Sequence, residues 1–267
     1  MATILDELVA GARAEAASRR KQVGMAELES RFRAERRSLA EALRGDGLSV
    51  IAEAKKASPS QGVIREAFEP GAIAEMYQEA GASAMSVLTE NLRFLGSLDD
   101  LAEARYRCEL PLLRKDFIVE DYQLFEARAF GADAVLLIAT VLDRHHLTDL
   151  MQAARELELD CLVELYEESE LDRVDFDLCE IIGVNNRDLR TFEVDRMHAP
   201  RVLAHVPDGT VRVAESGLRT ADDLAVVAEA GIDAVLIGET FMRAEHPGQA
   251  LKDLREQTHQ LLTERAG

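Results

Sequence analysis

Val50-Ile51-Ala52-Glu53-Ala54-Lys55-Lys56-Ala57-Ser58-Pro59-Ser60-Gln61-Gly62 begins as an apolar strand and ends as a polar loop. Side chains of a strand alternate between its two faces, so Glu53 and Lys55, two residues apart, share one face. Opposite charges on the inward face of a strand end are costly to desolvate unless they have partners or a task. The Ser-Pro-Ser-Gln-Gly loop after them offers hydroxyls and flexible backbone, which suit an anion. The weight of this run comes from its recurrence downstream.

Further β-rich runs follow at Ala84–Thr89, Pro111–Lys115, Ala134–Ile138, Cys161–Leu165, Ile181–Asn185, Val211–Glu215 and Ala234–Gly238. With Val50–Ala54 they make eight, separated by helical stretches, as repeated βα units are. Their interiors are apolar without alternation, which predicts burial on both faces. Three helical stretches end alike, in Ala80-Gly81-Ala82, Phe130-Gly131-Ala132-Asp133 and Ala230-Gly231-Ile232-Asp233. Glycine just past a helix end takes the left-handed conformation without a Cβ penalty. Eight such units predict an α/β fold, a (β/α)₈ TIM barrel. An open doubly wound sheet is the runner-up. It usually carries a nucleotide-binding glycine fingerprint after its first strand, where this chain has Ser-Pro-Ser.

Before the first strand, residues 3–44 read as helix, rich in Ala, Glu, Arg and Leu, with a break at Gly24. The expected organisation is an N-terminal helical extension over 1–48 packing on a catalytic barrel over 49–267. The 267 residues suit one such domain. The net charge of −19 argues against nucleic acid and anionic membranes as partners. Residues 1–48 hold eight acids and nine bases, so the remainder carries −20 and needs a local basic cluster to bind an anion. No apolar run approaches the ~18 residues of a membrane span. The N-terminus lacks the features of a secretion signal, and Cys108, Cys161 and Cys179 fit no metal pattern. A cytoplasmic chain with buried thiols is expected.

In a barrel the C-terminal strand ends converge on one mouth. Reading only those ends gives Glu53 and Lys55, then Thr89 and Glu90, Lys115 with Asp116 and Phe117, Glu164, Asn185 to Asp188, Glu215-Ser216-Gly217, and Gly238-Glu239. Bland readings apply to some: Lys56, Arg65 and Glu66 as loop charges, Asp116, Arg187 and Asp188 as an ion-pair network, and His145 and His146 as surface residues. Glu53, Lys55, Lys115, Glu164 and Asn185 resist them, because each ends an apolar run at the same topological position. Loops after strands seven and eight form the usual phosphate cradle of such barrels, here Ser216-Gly217 and Gly238-Glu239. Lys55 and Ser58 neighbour strand eight around the closed barrel. Phe94, Phe117, Leu136, Leu189 and Phe192 give a second part of the mouth an apolar character, which suits either an aromatic ring or, for some of them, a place in the core. Lysines and glutamates in one mouth suit acid–base chemistry on a carbonyl: a lysine among like charges turns acidic, and a buried glutamate takes up a proton. Schiff-base formation by Lys55 or Lys115 is left open.

Ile51-Ala52-Glu53-Ala54-Lys55-Lys56-Ala57-Ser58-Pro59-Ser60 resembles the first-strand signature of the indole-3-glycerol phosphate synthase family. Leu113-Arg114-Lys115-Asp116-Phe117-Ile118 is similar to its third-strand motif. Ile182 to Leu189, Val213 to Leu218 and Ile237 to Arg243 are similar to the sixth, seventh and eighth. The likeness runs from about residue 3 to 260 and is specific as a set. It implies a lyase of tryptophan biosynthesis that acts without cofactor or metal on 1-(2-carboxyphenylamino)-1-deoxy-D-ribulose 5-phosphate, a phosphorylated aromatic small molecule. It casts Lys115 as general acid, Glu164 as acid or base in dehydration, and Lys55 as either the carboxylate anchor or a further acid. Glu53, Asn185 and Glu215 orient these groups. Ser58, Ser216, Gly217, Gly238 and Glu239 surround phosphate; Glu90 joins the substrate contacts; Phe94, Phe117, Leu136, Leu189 and Phe192 touch the ring; Arg187 braces the site. A monomer or weak homodimer is expected. Two departures stand out: Ala54 where a larger apolar residue is common, and Gln61 in place of a frequent base, which predicts a lost long-range attraction for phosphate. Phosphoribosylanthranilate isomerase fits less well, since that family has a cysteine and an aspartate where this chain has Glu53/Lys55 and Asn185. A non-catalytic sugar-phosphate barrel leaves Lys115 and Glu164 without purpose.

Overall fold

Burial on both faces requires each strand to have a core inside and a core outside, and the chain provides both. In the computed structural model, which describes residues 3–32, 35–188 and 193–266, eight parallel strands close on themselves. They are β1 (Ser49–Ala54), β2 (Ala84–Leu88), β3 (Leu112–Lys115), β4 (Ala134–Ile138), β5 (Asp160–Leu165), β6 (Ile181–Asn185), β7 (Val211–Glu215) and β8 (Ala234–Ile237). Each pairs with its sequence neighbours, and β1 closes the ring on β8 with Ser49 opposite Ala234. This is the (β/α)₈ barrel expected from the repeats, with boundaries within a residue or so of the apolar runs.

Alternate residues face opposite ways, and the parity decides the site. Ile51, Ala84, Leu113, Ala134, Leu136, Leu162, Ile181, Val213 and Leu236 pack together inside the barrel. Val50, Ala52, Met85, Leu112, Val135, Val163, Ile182, Ala214 and Val235 face out under the helices. Those helices are α4 (Pro70–Glu79), α5 (Leu98–Arg107), α6 (Asp121–Ala129), α7 (Arg144–Glu156), α8 (His198–Leu203), α9 (Ala221–Glu229), a short α10 (Glu239–Arg243) and α11 (Pro247–Ala266). A 3₁₀ turn, Glu168–Arg173, stands in the helical position after β5. The glycines at the repeated helix ends take the expected left-handed backbone, as at Gly131 (φ 91°). The loop after β1 folds into a small hairpin, with Ala57 paired to Val63 and Ser58 to Gly62.

The extension is not one broken helix. Before the barrel come α1 (Ile4–Gln22), α2 (Met25–Glu29) and α3 (Leu39–Leu43). Residues 35–38 are non-helical, because tertiary partners claim them. Arg37 N–H donates to Asp133 Oδ1 at 3.0 Å, and the Ser38 hydroxyl to Asp160 Oδ2 at 3.1 Å. Asp133 and Asp160 lie at the entry of β4 and β5, so this segment is stapled under the barrel. It delivers α3 to the floor, where Leu39, Ala40 and Leu43 join the inner core and stopper that end. The other end of the extension lies at the mouth. Thr3 and Asp6 form a reciprocal capping box, with Asp6 N–H donating to Thr3 Oγ1 at 3.2 Å and Thr3 N–H to Asp6 Oδ2 at 2.8 Å. That fixes where α1 begins and which of its residues face the barrel.

Candidate active site

Two residues beyond the inner apolar layer, the same parity yields polar groups. Ile51 leads to Glu53, Leu113 to Lys115, Leu162 to Glu164, and Val213 to Glu215. These come from β1, β3, β5 and β7, and alternate strands of such a barrel contribute side chains to one layer. Here the layer is charged. Lys115 Nζ donates to Glu164 Oε2 at 3.1 Å and also to Glu215 Oε2. Lys55 Nζ donates to Glu53 Oε1 at 2.5 Å. The strands between make room. Gly183 on β6 leaves the space taken by the Glu215 carboxylate, and Gly238 after β8 leaves that taken by Glu53; a Cβ at either would collide with the glutamate.

All six candidate acid–base residues, Glu53, Lys55, Lys115, Glu164, Asn185 and Glu215, line one cavity. So do Ser58, Phe94, Phe117, Leu136, Arg187, Ser216, Gly217, Gly238 and Glu239. Asn185 also shapes the rim, because its Oδ1 accepts the Arg187 N–H at 2.9 Å. Ser216 (φ 67°) and Gly217 (φ 74°) turn through left-handed backbone. That conformation is sparse for a non-glycine residue and occurs often at functional sites. The Asn186 amide holds the turn by donating to Ser216 O at 3.1 Å. Phe94 and Phe117 approach to 6.4 Å between ring centroids and form the apolar wall with Leu136. Leu189 and Phe192 lie outside the described residues.

Glu90 is not brought to the cavity. Its carboxylate turns back and accepts the N–H groups of Leu92, Arg93 and Phe94 at 2.8–3.0 Å. It shapes the loop that presents Phe94. Asp116 is held in an ion pair, but with Arg114 rather than in the network with Arg187 and Asp188 that the sequence suggested. One of its oxygens accepts from Arg114 Nη2 at 2.8 Å and from Thr89 Oγ1 at 2.6 Å. Arg65 is no idle loop charge, since Nη1 donates to Ala244 O at 2.9 Å and ties the β1 loop to the end of α10. Three wall residues had no local signal in the sequence: Ile4, Leu5 and Leu8 of α1 close the mouth from above.

The electrostatics differ from expectation at Lys115. Burial alone would lower it, but the carboxylates of Glu215, Glu164 and Glu53 outweigh burial and hold the ammonium above the ordinary lysine value. The free site therefore has a lysine among unlike charges and fully loaded with its proton. The displaced group is Glu215. Burial pushes its carboxyl up; Lys115 pulls it back and Glu164 pushes it up again, to about 8. Its other oxygen, Oε1, is buried and has no hydrogen-bond partner among the described residues. At the rim, Glu239 lies within 3.8 Å of Arg187 and Arg219 and 3.1 Å of Arg243. Arg243 Nη2 also donates to Gln61 Oε1 at 2.7 Å. An arginine from α10 thus reaches the side chain at position 61, and Arg187, Arg219 and Arg243 gather around Glu239 at the rim.

A model of the indole-3-glycerol phosphate synthase family matches residues 5–254. The chain belongs to that family. It is 52% identical over 269 residues to indole-3-glycerol phosphate synthase of Salinibacter ruber, covering 99% of this chain and 100% of that one. It is 46% identical to the Streptomyces griseus protein of that name, over 94% of each. Among solved structures, thiamine phosphate pyrophosphorylase from Pyrococcus furiosus superposes with a TM-score of 0.60 at 16% identity, over 84% of this chain and 100% of that one. Orotidine 5'-phosphate decarboxylase from Pyrococcus horikoshii gives 0.58 at 12% identity, over 79% and 99%. At such identities these two speak for the barrel alone.

Proposed function

We propose that this site closes the indole ring of 1-(2-carboxyphenylamino)-1-deoxy-D-ribulose 5-phosphate, giving indole-3-glycerol phosphate, carbon dioxide and water. The observation that carries the reading is the Lys115 ammonium, held between Glu164 and Glu215 where an apolar wall meets a rim of backbone loops and arginines. An aromatic ring against Phe94, Phe117 and Leu136, with the phosphate near Ser58, Ser216-Gly217 and Gly238-Glu239, puts the ketone between them. Lys115 then donates its proton to the ketone oxygen as the carboxyl-bearing ring carbon bonds to the ketone carbon. Loss of carbon dioxide returns the electron pair to the ring. Glu164 takes the proton lost from the methylene carbon beside the nitrogen and passes it to the departing hydroxyl, which leaves as water and completes the indole. Lys55 neutralises the substrate carboxylate, and Glu53 holds Lys55. These proton transfers use side chains only, so the reaction needs no metal or cofactor. A preorganised ammonium at a developing alkoxide is the kind of electrostatic aid worth most in a water-poor site.

The same reading makes the chain a cytoplasmic enzyme, a monomer or weak homodimer, built as an extension over 1–48 on a barrel over 49–267. Its three cysteines are free and buried, which suits a reducing compartment. The test is direct. The purified chain, given the carboxyphenylamino ribulose phosphate, should release carbon dioxide with the rise of indole fluorescence. Tight binding with no turnover would leave a binding protein instead.

A further inference from the structure

Arg114 and Lys115 are neighbours that face opposite ways. Lys115 points into the mouth, and Arg114 points into the layer under the helices with no exposed surface. The Arg114 guanidinium is held on all sides. Nε donates to Thr89 Oγ1 at 3.1 Å, Nη1 to Gln123 O at 2.7 Å and Nη2 to Asp116 Oδ2 at 2.8 Å. Asp116 spends its second oxygen on the Phe117 N–H at 2.8 Å. Arg114 and Asp116 therefore clamp the strand end on either side of Lys115 and set the ring of Phe117.

The cluster continues outward. Arg114 Nη1 lies 3.5 Å from Glu126 Oε2 on α6, and Glu126 is buried. Its main partner is Arg19 of α1, which forks onto both oxygens, Nε at 2.6 Å and Nη2 at 3.0 Å. Glu15 steadies Arg19 at 3.2 Å. An unbroken line of ion pairs thus joins the extension helix to the residue beside Lys115. We propose that Arg19, on the extension helix and not among the residues lining the cavity, is a positioning residue for Lys115 and Phe117. By holding Glu126 with two hydrogen bonds, Arg19 leaves Arg114 free to serve Asp116. Without Arg19 the buried Glu126 has Arg114 as its cation within reach, and a buried carboxylate does not stay unpaired. Arg114 is drawn toward α6, its bond to Asp116 loosens, and the strand end carrying Lys115 shifts.

The proposal rests on the ring-closure reading and is tested on the full chain by steady-state kinetics. R19M should lower kcat about tenfold, the scale on which sub-ångström misplacement of a reacting group acts, with KM changed less than kcat. R19K, which can satisfy one Glu126 oxygen, should fall between. The decisive variant is R19M/E126Q. With Glu126 neutral the pull on Arg114 disappears, so kcat should return to about that of E126Q alone. A helix anchor with no link to Lys115 predicts otherwise: R19M would raise KM at full kcat, and E126Q would restore nothing. Either result overturns the relay. Should R19M fail to fold, R19K and R19K/E126Q carry the same cycle, and an R19K kcat equal to that of the unmodified chain refutes it. If the unmodified chain itself turns over nothing, the ring-closure reading falls and the relay with it.

Discussion

Replacing Glu215 by glutamine should turn a pH-dependent stability into a nearly flat one across the neutral range. Glu215 is 1% exposed, and its carboxyl is pushed up from 4.5 to about 8, by burial first and then by Glu164 against the pull of Lys115. The sign follows from proton counting. Between 4.5 and about 8 the folded chain keeps a proton that the unfolded chain has released. Stability from this group is complete below 4.5 and is lost as pH rises through about 8. Each pH unit inside that window costs about 1.4 kcal/mol, for a total near ~5 kcal/mol if the group titrated alone. Relaxation and water at the mouth bring buried sites closer to an effective dielectric of ~20, so a loss of about 2–3 kcal/mol between pH 5 and 8 is the working figure. Lys115 adds no slope there. Its folded value is raised, so it stays protonated in both states below the ordinary lysine range. The assay is urea unfolding followed by far-ultraviolet circular dichroism, since the chain has no tryptophan, at half-unit steps from pH 5 to 8. The unmodified chain should lose stability relative to E215Q at every step. Parallel curves would show that Glu215 is ionised throughout and that the Glu215 proton is fictitious.

Three further outcomes follow from the same geometry. Lys115→Met should lower kcat by about 10²–10⁴, the usual worth of a general acid, while substrate or product affinity measured by calorimetry changes only a few-fold; lost affinity at normal kcat would make Lys115 a binding group. Gly238→Ala places a methyl against the Glu53 side chain, buried beneath the mouth, and should reduce kcat/KM by about tenfold or more with a melting temperature within a few degrees of the unmodified chain; unaltered kinetics would mean that Glu53 has room to move. Leu43→Ala empties a fully buried position in the stopper under the barrel and should cost about 2–5 kcal/mol in urea unfolding with kcat intact; a change in kcat would show that floor and mouth are coupled.

The barrel was legible because its strands are apolar on both faces and its helices stop at glycines, both local signals. The acid–base ring was legible for a related reason: parity along each strand converts sequence position into direction, and Glu53, Lys115, Glu164 and Glu215 all fall on inward positions. What escaped was set by partners distant in sequence. Residues 35–38 have helix-forming neighbours, yet their backbone and side chains are taken by Asp133 and Asp160. Glu90 continues the inward parity of β2, but the strand has ended and the carboxylate caps its own loop. Ile4, Leu5 and Leu8 look like any apolar stripe. They become cavity wall only because α1 is docked by Arg19 on Glu126 and by the Tyr122 hydroxyl, which donates to Val23 O at 3.0 Å.

The Lys115 environment shows why the missed electrostatics matter for the chemistry. Three glutamates and two lysines meet in the mouth, so the cluster is neutral only when one carboxyl is protonated, and the upward displacement of Glu215 supplies that proton. The substrate in the proposed reaction brings a carboxylate and a phosphate into this field. Added negative charge makes it harder still for Glu215 to ionise, and it draws Lys55 away from sole attachment to Glu53. The same added charge acts on Lys115 too, and it holds the ammonium more firmly in its charged form. The proton therefore does not leave in advance; it moves only as negative charge develops on the ketone oxygen, which becomes the stronger base as the ring carbon attacks. On this view the third glutamate, by carrying its own proton, keeps the site near neutrality so that an anionic substrate can enter beside a lysine still loaded for transfer.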